Sequence, residues 1–215
     1  MGRVAPTDWT AWHAAYDDPA SSLSRRRRSV QAQISSWLDS TPGNVRVVSV
    51  CAGDGRDLLE VLAGRDDADR VSAVLLELDP ALAALAAERA AAESLHAVEV
   101  RCVDAGTTAS YAGAVPADLV LLCGIFGNVD ETDLRTTVAL APAFCASGAT
   151  VVWTRGRSEG EREVADDVRD WFARAGFAEV GFDRPDDASY RVGTHRLVAE
   201  PRPLPDATTF FTFRR

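Results

Sequence analysis

Two glycines and a carboxylate set the chemistry this chain is equipped to do. Gly53 and Gly55 lie in the turn Cys51-Ala52-Gly53-Asp54-Gly55, straight after the apolar run Val45 to Val50. A glycine lets a bound group approach the main chain closely, because no Cβ stands in the way. The amides that open a helix after such a turn give it a partly positive lining. The spacing therefore predicts a cradle for a nucleotide-like group. A second apolar run, Arg70 to Glu77, ends in Glu77-Leu78-Asp79-Pro80. Glu77 stands about 20 residues past the glycine turn, where a carboxylate can accept hydrogen bonds from both hydroxyls of a ribose. A dinucleotide site also requires G-x-G-x-x-G, whose last glycine lets the pyrophosphate and the helix come close. Here Leu58 takes that place. A cofactor without a pyrophosphate suits the turn better.

At these residues the chain resembles the class I S-adenosylmethionine (SAM)-dependent methyltransferases, over roughly Val45 to Arg155. Gly53 and Gly55 match the last two glycines of that family's first motif, [DE]-x-G-x-G-x-G. Ser49 stands where an acid is frequent, and Cys51 where the first glycine is usual. The resemblance implies that Cys51, Ala52, Gly53, Asp54 and Gly55 line the cofactor, that Glu77 holds the ribose, and that Leu78 lies beside it. It also implies that Asp104 meets the adenine amino group, with Ala105 offering a backbone amide. Asp118, Cys123, Gly124 and Phe126 match the fourth-strand motif, which faces the transferred methyl.

The elements that must position these residues are legible as an alternation. Strands are predicted near 45–50, 71–77, 97–103, 118–123 and 149–154, with helices near 56–63, 80–95, 130–145 and 160–175 between them. Asp79 and Pro80 suit the cap and first position of a helix. Such alternation implies an α/β fold, a three-layer Rossmann-like sandwich around a mostly parallel sheet. FAEVGFD, YRVGTHRLVA and TTFFTFRR read as successive strands, so some antiparallel pairing is expected there, and the family resemblance implies a seven-stranded sheet that ends in an antiparallel hairpin. Residues 1–44 are read as a helical lid or acceptor-pocket segment and 45–215 as the SAM-binding domain. Within the first, Val30, Ile34 and Leu38 form an apolar stripe on a helix near Ser22 to Ser40, closed by Thr41-Pro42-Gly43. Residues past the carboxyl ends of the strands, including Asn128 and Arg155, should meet in one crevice.

Composition narrows the partners. The chain has 215 residues, which suits one domain with a substantial core. Its net charge of −9 disfavours a grip on nucleic acid. All 23 basic side chains are arginines. The four cysteines, Cys51, Cys102, Cys123 and Cys145, lack C-x-x-C spacing, so no zinc site is expected. Reduced thiols, no membrane-spanning run and no signal-peptide core at the start predict a cytoplasmic protein, monomeric or homodimeric.

For the chemistry itself, His13, Tyr16 and His195 are the candidates for a general base, with Trp9 and Trp12 near the first two. Each has a plainer reading as packing, and His96 reads as structural. Arg25 to Arg28 point four ways on a helix, as most solvated runs do. Asp54 and Asn128 could cap helices instead of meeting ligand, and Asp118 reads as a strand start. The expectation is methyl transfer from SAM to an oxygen, nitrogen or carbon of a small-molecule acceptor, with no metal. A non-catalytic SAM-binding or scaffold member of the fold, a SAM enzyme without methyl transfer, and an NAD-dependent oxidoreductase are the alternatives.

Overall fold

A computed structural model describes residues 18–157 and 163–214. Helix α1 (Ser22–Ser40) leads into strand β1 (Val45–Val50), α2 (Arg56–Ala63), β2 (Val71–Glu77), α3 (Pro80–Ala92), β3 (Val98–Cys102) and β4 (Ala117–Leu122). Then come α4 (Glu131–Leu140), β5 (Cys145–Gly156), α5 (Val164–Arg174), β6 (Phe177–Asp183) and β7 (Tyr190–Leu197). The strands form one seven-stranded sheet in the order β3-β2-β1-β4-β5-β7-β6. β7 alone runs antiparallel, between β5 and β6. The chain winds outward from β1 to β3, then returns to β4 on the other side. The order thus reverses between β1 and β4, where a crevice must open beyond the strand ends.

Alternation along each strand divides the core into two layers. Val45 and Val47 of β1, Leu75 of β2, Leu119 and Leu121 of β4 and Val152 of β5 face one side, under α1, α2 and α3. Val48, Val50, Leu76, Val120, Leu122 and Trp153 face the other, under α4 and α5. The stripe Val30, Ile34 and Leu38 is buried in the first layer. α1 is therefore a layer of the sandwich, and only its first turns reach the crevice. Local signals fix the helix starts. Ser21 caps α1 by accepting from the amide of Ser24, and Asp79 caps α3 ahead of Pro80 as the sequence predicts.

Three elements differ from expectation. α4 stops at Leu140, because Pro142 cannot continue it, and a 3₁₀ turn follows over Ala141–Ala143. β5 begins already at Cys145. TTFFTFRR does not form a strand: Thr209 makes one isolated bridge with Thr107. Phe210 and Phe211 are neighbours and both are buried, which defeats strand alternation. Phe210 packs against Tyr111 and Phe144, so the tail fills the layer beside α4 rather than an edge of the sheet. Gly106 makes room for it, since a Cβ there would lie 2.3 Å from the carbonyl oxygen of Phe211.

Gly193 of β7 plays the same part for Trp153, its partner on β5. A Cβ at Gly193 would meet the indole at 2.2 Å. Trp153 is fully buried and stacks on Phe172, so the ring has nowhere to move. Gly193→Ala is expected to destabilise the fold by about 1–3 kcal/mol through overpacking, read as a lower urea midpoint. An unchanged midpoint would contradict this packing.

Candidate functional site

The turn after β1 is held in an unusual backbone path. Cys51, Gly53 and Gly55 all have positive φ, at 53°, 59° and 74°. For the glycines this conformation is free of Cβ strain. Cys51 holds it with a Cβ, at a cost of about 1 kcal/mol, where the family usually has glycine. Gly55 opens α2 directly, and a Cβ on it would strike Leu59 at 2.6 Å and Leu75 at 2.9 Å. This glycine serves close packing of helix on sheet, while Gly53 shapes the rim.

Glu77 ties the turn down. The amide of Gly53 donates to its Oε2 at 2.7 Å, and the amide of Asp79 donates to its Oε1 at 2.8 Å. The amide of Ala52 also donates to the carbonyl of Leu76 at 2.9 Å. One carboxylate thus joins the turns after β1 and β2, with each oxygen keeping a further lone pair for a ligand. Beside it Leu78 is 60% exposed, an apolar side chain presented to solvent at the crevice rim. Asp104 is exposed past the end of β3, and its Oδ1 accepts from the amide of Gly106 at 2.8 Å. Ala105 is buried, and its carbonyl accepts from the hydroxyl of Tyr111 at 2.8 Å. Cys51 lies close enough to Glu77 and Asp104 for their charges to act on its thiol, which burial, above all, pushes up.

Other candidates fall elsewhere. Asp54 turns away from the crevice into ion pairs with Arg56 and Arg89, the latter at 3.1 Å. It joins α2 to α3, and its Oδ1 also accepts from the amide of Arg56, which opens α2, at 3.4 Å. The Phe126 ring is fully buried against Trp153 and Phe172, so it belongs to the core and forms no wall of the crevice. Asn128 donates from Nδ2 to the carbonyl of Gly124 at 2.6 Å, stabilising its own loop, and it lines the cleft past β4 as expected, while Asp130 caps α4. Asp118 accepts from the amide of Arg46 at the far end of the sheet. His13, Tyr16, Trp9 and Trp12 lie outside the described residues.

The run of arginines separates as helix geometry requires. Arg25 pairs with Asp187 at 2.8 Å and Arg27 with Glu60 at 3.3 Å. Arg28 donates to the carbonyl of Pro19. Arg26 alone lies on the buried face, one turn before Val30.

A cleft of about 350 Å³ opens past the ends of β4 and β5, where the sequence placed Arg155 and the loop holding Gly124 and Gly127 but gave no sign of Arg26, Thr154 or Tyr190. Its walls are Arg26 of α1, Gly124 and Gly127 after β4, Thr154 and Arg155 at the end of β5, and Tyr190 of β7. Gly124 has a φ of 80° and open space where a Cβ would stand. Its amide donates to the Thr154 hydroxyl at 2.9 Å. Arg155 donates to the carbonyl of Phe126 and so braces the β4 loop. Burial pushes the Tyr190 phenol up, and Asp183 adds to the shift, so it stays protonated at neutral pH. Among the described residues, no three His, Cys, Asp or Glu side chains gather as metal ligands. No described helix is long and apolar enough to cross a membrane.

His195 is not at the crevice. It pairs with Val151 in mid-sheet and is 1% exposed. The indole N–H of Trp153 donates to its Nδ1 at 3.1 Å, which places the imidazole proton on Nε2. Burial lowers its pKa from 6.5 to about 4, against a smaller opposing pull from Glu179. The unfolded chain therefore takes up this proton near 6.5 and the folded chain near 4. Above pH 6.5 the group has no effect on stability. Below it stability falls, by up to roughly 3 kcal/mol at pH 4. His195→Gln, which keeps an acceptor for Trp153, should flatten the drop in urea midpoint between pH 7 and 4.5. Parallel curves for the two proteins would contradict the buried neutral imidazole.

No family model matches the sequence, and no curated protein matches it. Solved structures do. The magnesium protoporphyrin IX methyltransferase of Synechocystis, with SAM bound, superposes with a TM-score of 0.66 at 11% identity, over 89% of this chain and 92% of that one. An O-methyltransferase family protein from Burkholderia thailandensis gives 0.59 at 17% identity, over 71% of this chain and 51% of that one. The pyocyanin biosynthetic protein PhzM gives 0.55 at 18% identity, with 73% and 51% covered. The chain thus spans about half the length of the last two. At such identities the likeness is one of architecture: this chain has the Rossmann-like fold of the SAM-dependent methyltransferases.

Proposed function

We propose that the chain transfers the methyl group of SAM to a small-molecule acceptor. The observation that carries this reading is the Glu77 carboxylate, anchored by the amides of Gly53, after β1, and of Asp79, after β2. Its remaining lone pairs suit the two hydroxyls of a ribose. Leu78 offers an apolar face for adenine, and the second oxygen of Asp104 suits its amino group. The open side of Gly124 leaves room for the sulfonium and amino-acid end. Bound there, SAM supplies an electrophilic methyl carbon. The chain's own work is to align the two reactants and to exclude water.

The cleft then houses the acceptor. Its lining carries neither carboxylate nor imidazole among the described residues. That suits an acceptor whose nucleophile needs little help from a base, such as a free amine or an already ionised oxygen. His13 and Tyr16 stand as proposals for a base where a neutral hydroxyl must be activated. Leu58, buried where a dinucleotide fingerprint has its last glycine, weighs against NAD.

Calorimetric titration with SAM, S-adenosylhomocysteine (SAH) and NAD tests the reading. SAM and SAH are expected to bind and NAD is not. Glu77→Gln keeps the shape but replaces an accepting oxygen with a donor. It should weaken SAH binding by about 1.5–3 kcal/mol, or roughly ten- to hundredfold. Binding of NAD alone, or unchanged SAH affinity in a folded Glu77→Gln protein, would refute it.

A further inference from the structure

Arg26 is out of character with its surroundings. It continues the stripe Val30, Ile34 and Leu38 by one turn toward the strand ends, and it is only 9% exposed. A core stripe calls for an aliphatic residue at that position. A buried guanidinium is costly unless charge and hydrogen bonds compensate it. The stripe becomes cationic only where it leaves the sheet and meets the cleft, and there Arg26 forms part of the wall.

The charge of the cleft is equally unusual. The chain carries 32 acidic residues against 23 arginines, yet among the described residues the cleft is lined by Arg26 and Arg155 and by no Asp or Glu. Asp57, in the first turn of α2, lies near enough for the charge of Arg26 to act on it, but it is not part of the wall. Gly124 and Gly127 leave the opposite side free of side chains, with nothing within 4 Å of where a Cβ would be. A volume of about 350 Å³ accommodates a small organic molecule. A planar guanidinium matches a carboxylate with two parallel hydrogen bonds.

We propose that the cleft is a carboxylate-binding site in which Arg26 is the anchor, with Arg155 on the facing wall adding positive charge. The inference builds on the methyltransferase reading, in which two molecules can bring that group: the methyl acceptor, or SAM through its own amino-acid end. In either case Arg26 sets the position of the ligand along the crevice.

Two matched pairs of probes distinguish the sources. Salicylate and salicylamide differ in a carboxylate against an amide. SAH and 5′-methylthioadenosine differ in the presence of the amino-acid end. Each is titrated into the wild type, Arg26→Met and Arg26→Lys. Met keeps the apolar stem on the core stripe, and thermal midpoints confirm folding. The wild type should favour the carboxylate member of at least one pair by about tenfold or more. Arg26→Met should erase that preference and Arg26→Lys should restore part of it. Loss confined to the salicylate pair assigns the carboxylate to the acceptor, and loss confined to SAH assigns it to the cofactor. The proposal is overturned if the wild type favours neither carboxylate, or if a preference survives in folded Arg26→Met. Should neither adenosyl compound bind, the methyltransferase reading fails, while the salicylate pair still decides the anion site.

Discussion

The crevice depends on one carboxylate shared between two turns. Glu77 accepts from the amide of Gly53, after β1, and from that of Asp79, after β2. Both donors belong to the main chain, so their positions follow from the strands themselves. Hydrogen bonds to a charged acceptor are among the stronger ones. They also fix the carboxylate, while each oxygen keeps acceptor capacity beyond its backbone bond. The same group is thus a brace and, on the proposed reading, a binding group as well. A substitution there disturbs the shape of the glycine turn together with any ligand, so stability and affinity have to be measured side by side.

Around that brace the sandwich places everything else. Strand alternation buries two layers, and the reversal between β1 and β4 opens the space between them at one end only. α1 covers the sheet with aliphatic residues over most of its length and with Arg26 at the end. The C-terminal tail seals the other layer. The amide of Phe210 donates to the carbonyl of Gly106 and that of Arg214 donates to the carbonyl of Asn128, which links the loops after β3 and β4. The crevice is therefore framed by segments from both ends of the described chain.

The sheet was legible because its signals are local: apolar runs of strand length, glycine at a tight turn, Asp79-Pro80 at a helix start. The backbone sites followed, since Gly53, Glu77 and Asp104 stand at strand ends whatever their side chains touch. Side-chain partners were not legible. Asp54 follows Gly53 directly but finds Arg89, from the next helix, and sequence spacing carries no trace of that pairing. His195 and Phe126 look reactive or ligand-facing by type, yet strand parity and the aromatic core take them inward. The tail shows the limit of propensity: Thr and Phe favour strands, but Phe210 is buried against Tyr111 and Phe144 and makes no ladder. Arg26 had a visible signal, its place four residues before Val30 on the stripe. It was masked by its neighbours in a run of four arginines.

A crystal structure of the protein with SAH is the most direct test of the central claim. The account places the ribose hydroxyls within hydrogen-bond reach of Glu77, about 2.6–3.2 Å, with the bonds from Gly53 and Asp79 intact and adenine against Leu78. Adenosine density elsewhere, or Glu77 released from both amides and turned from the ligand, would contradict it.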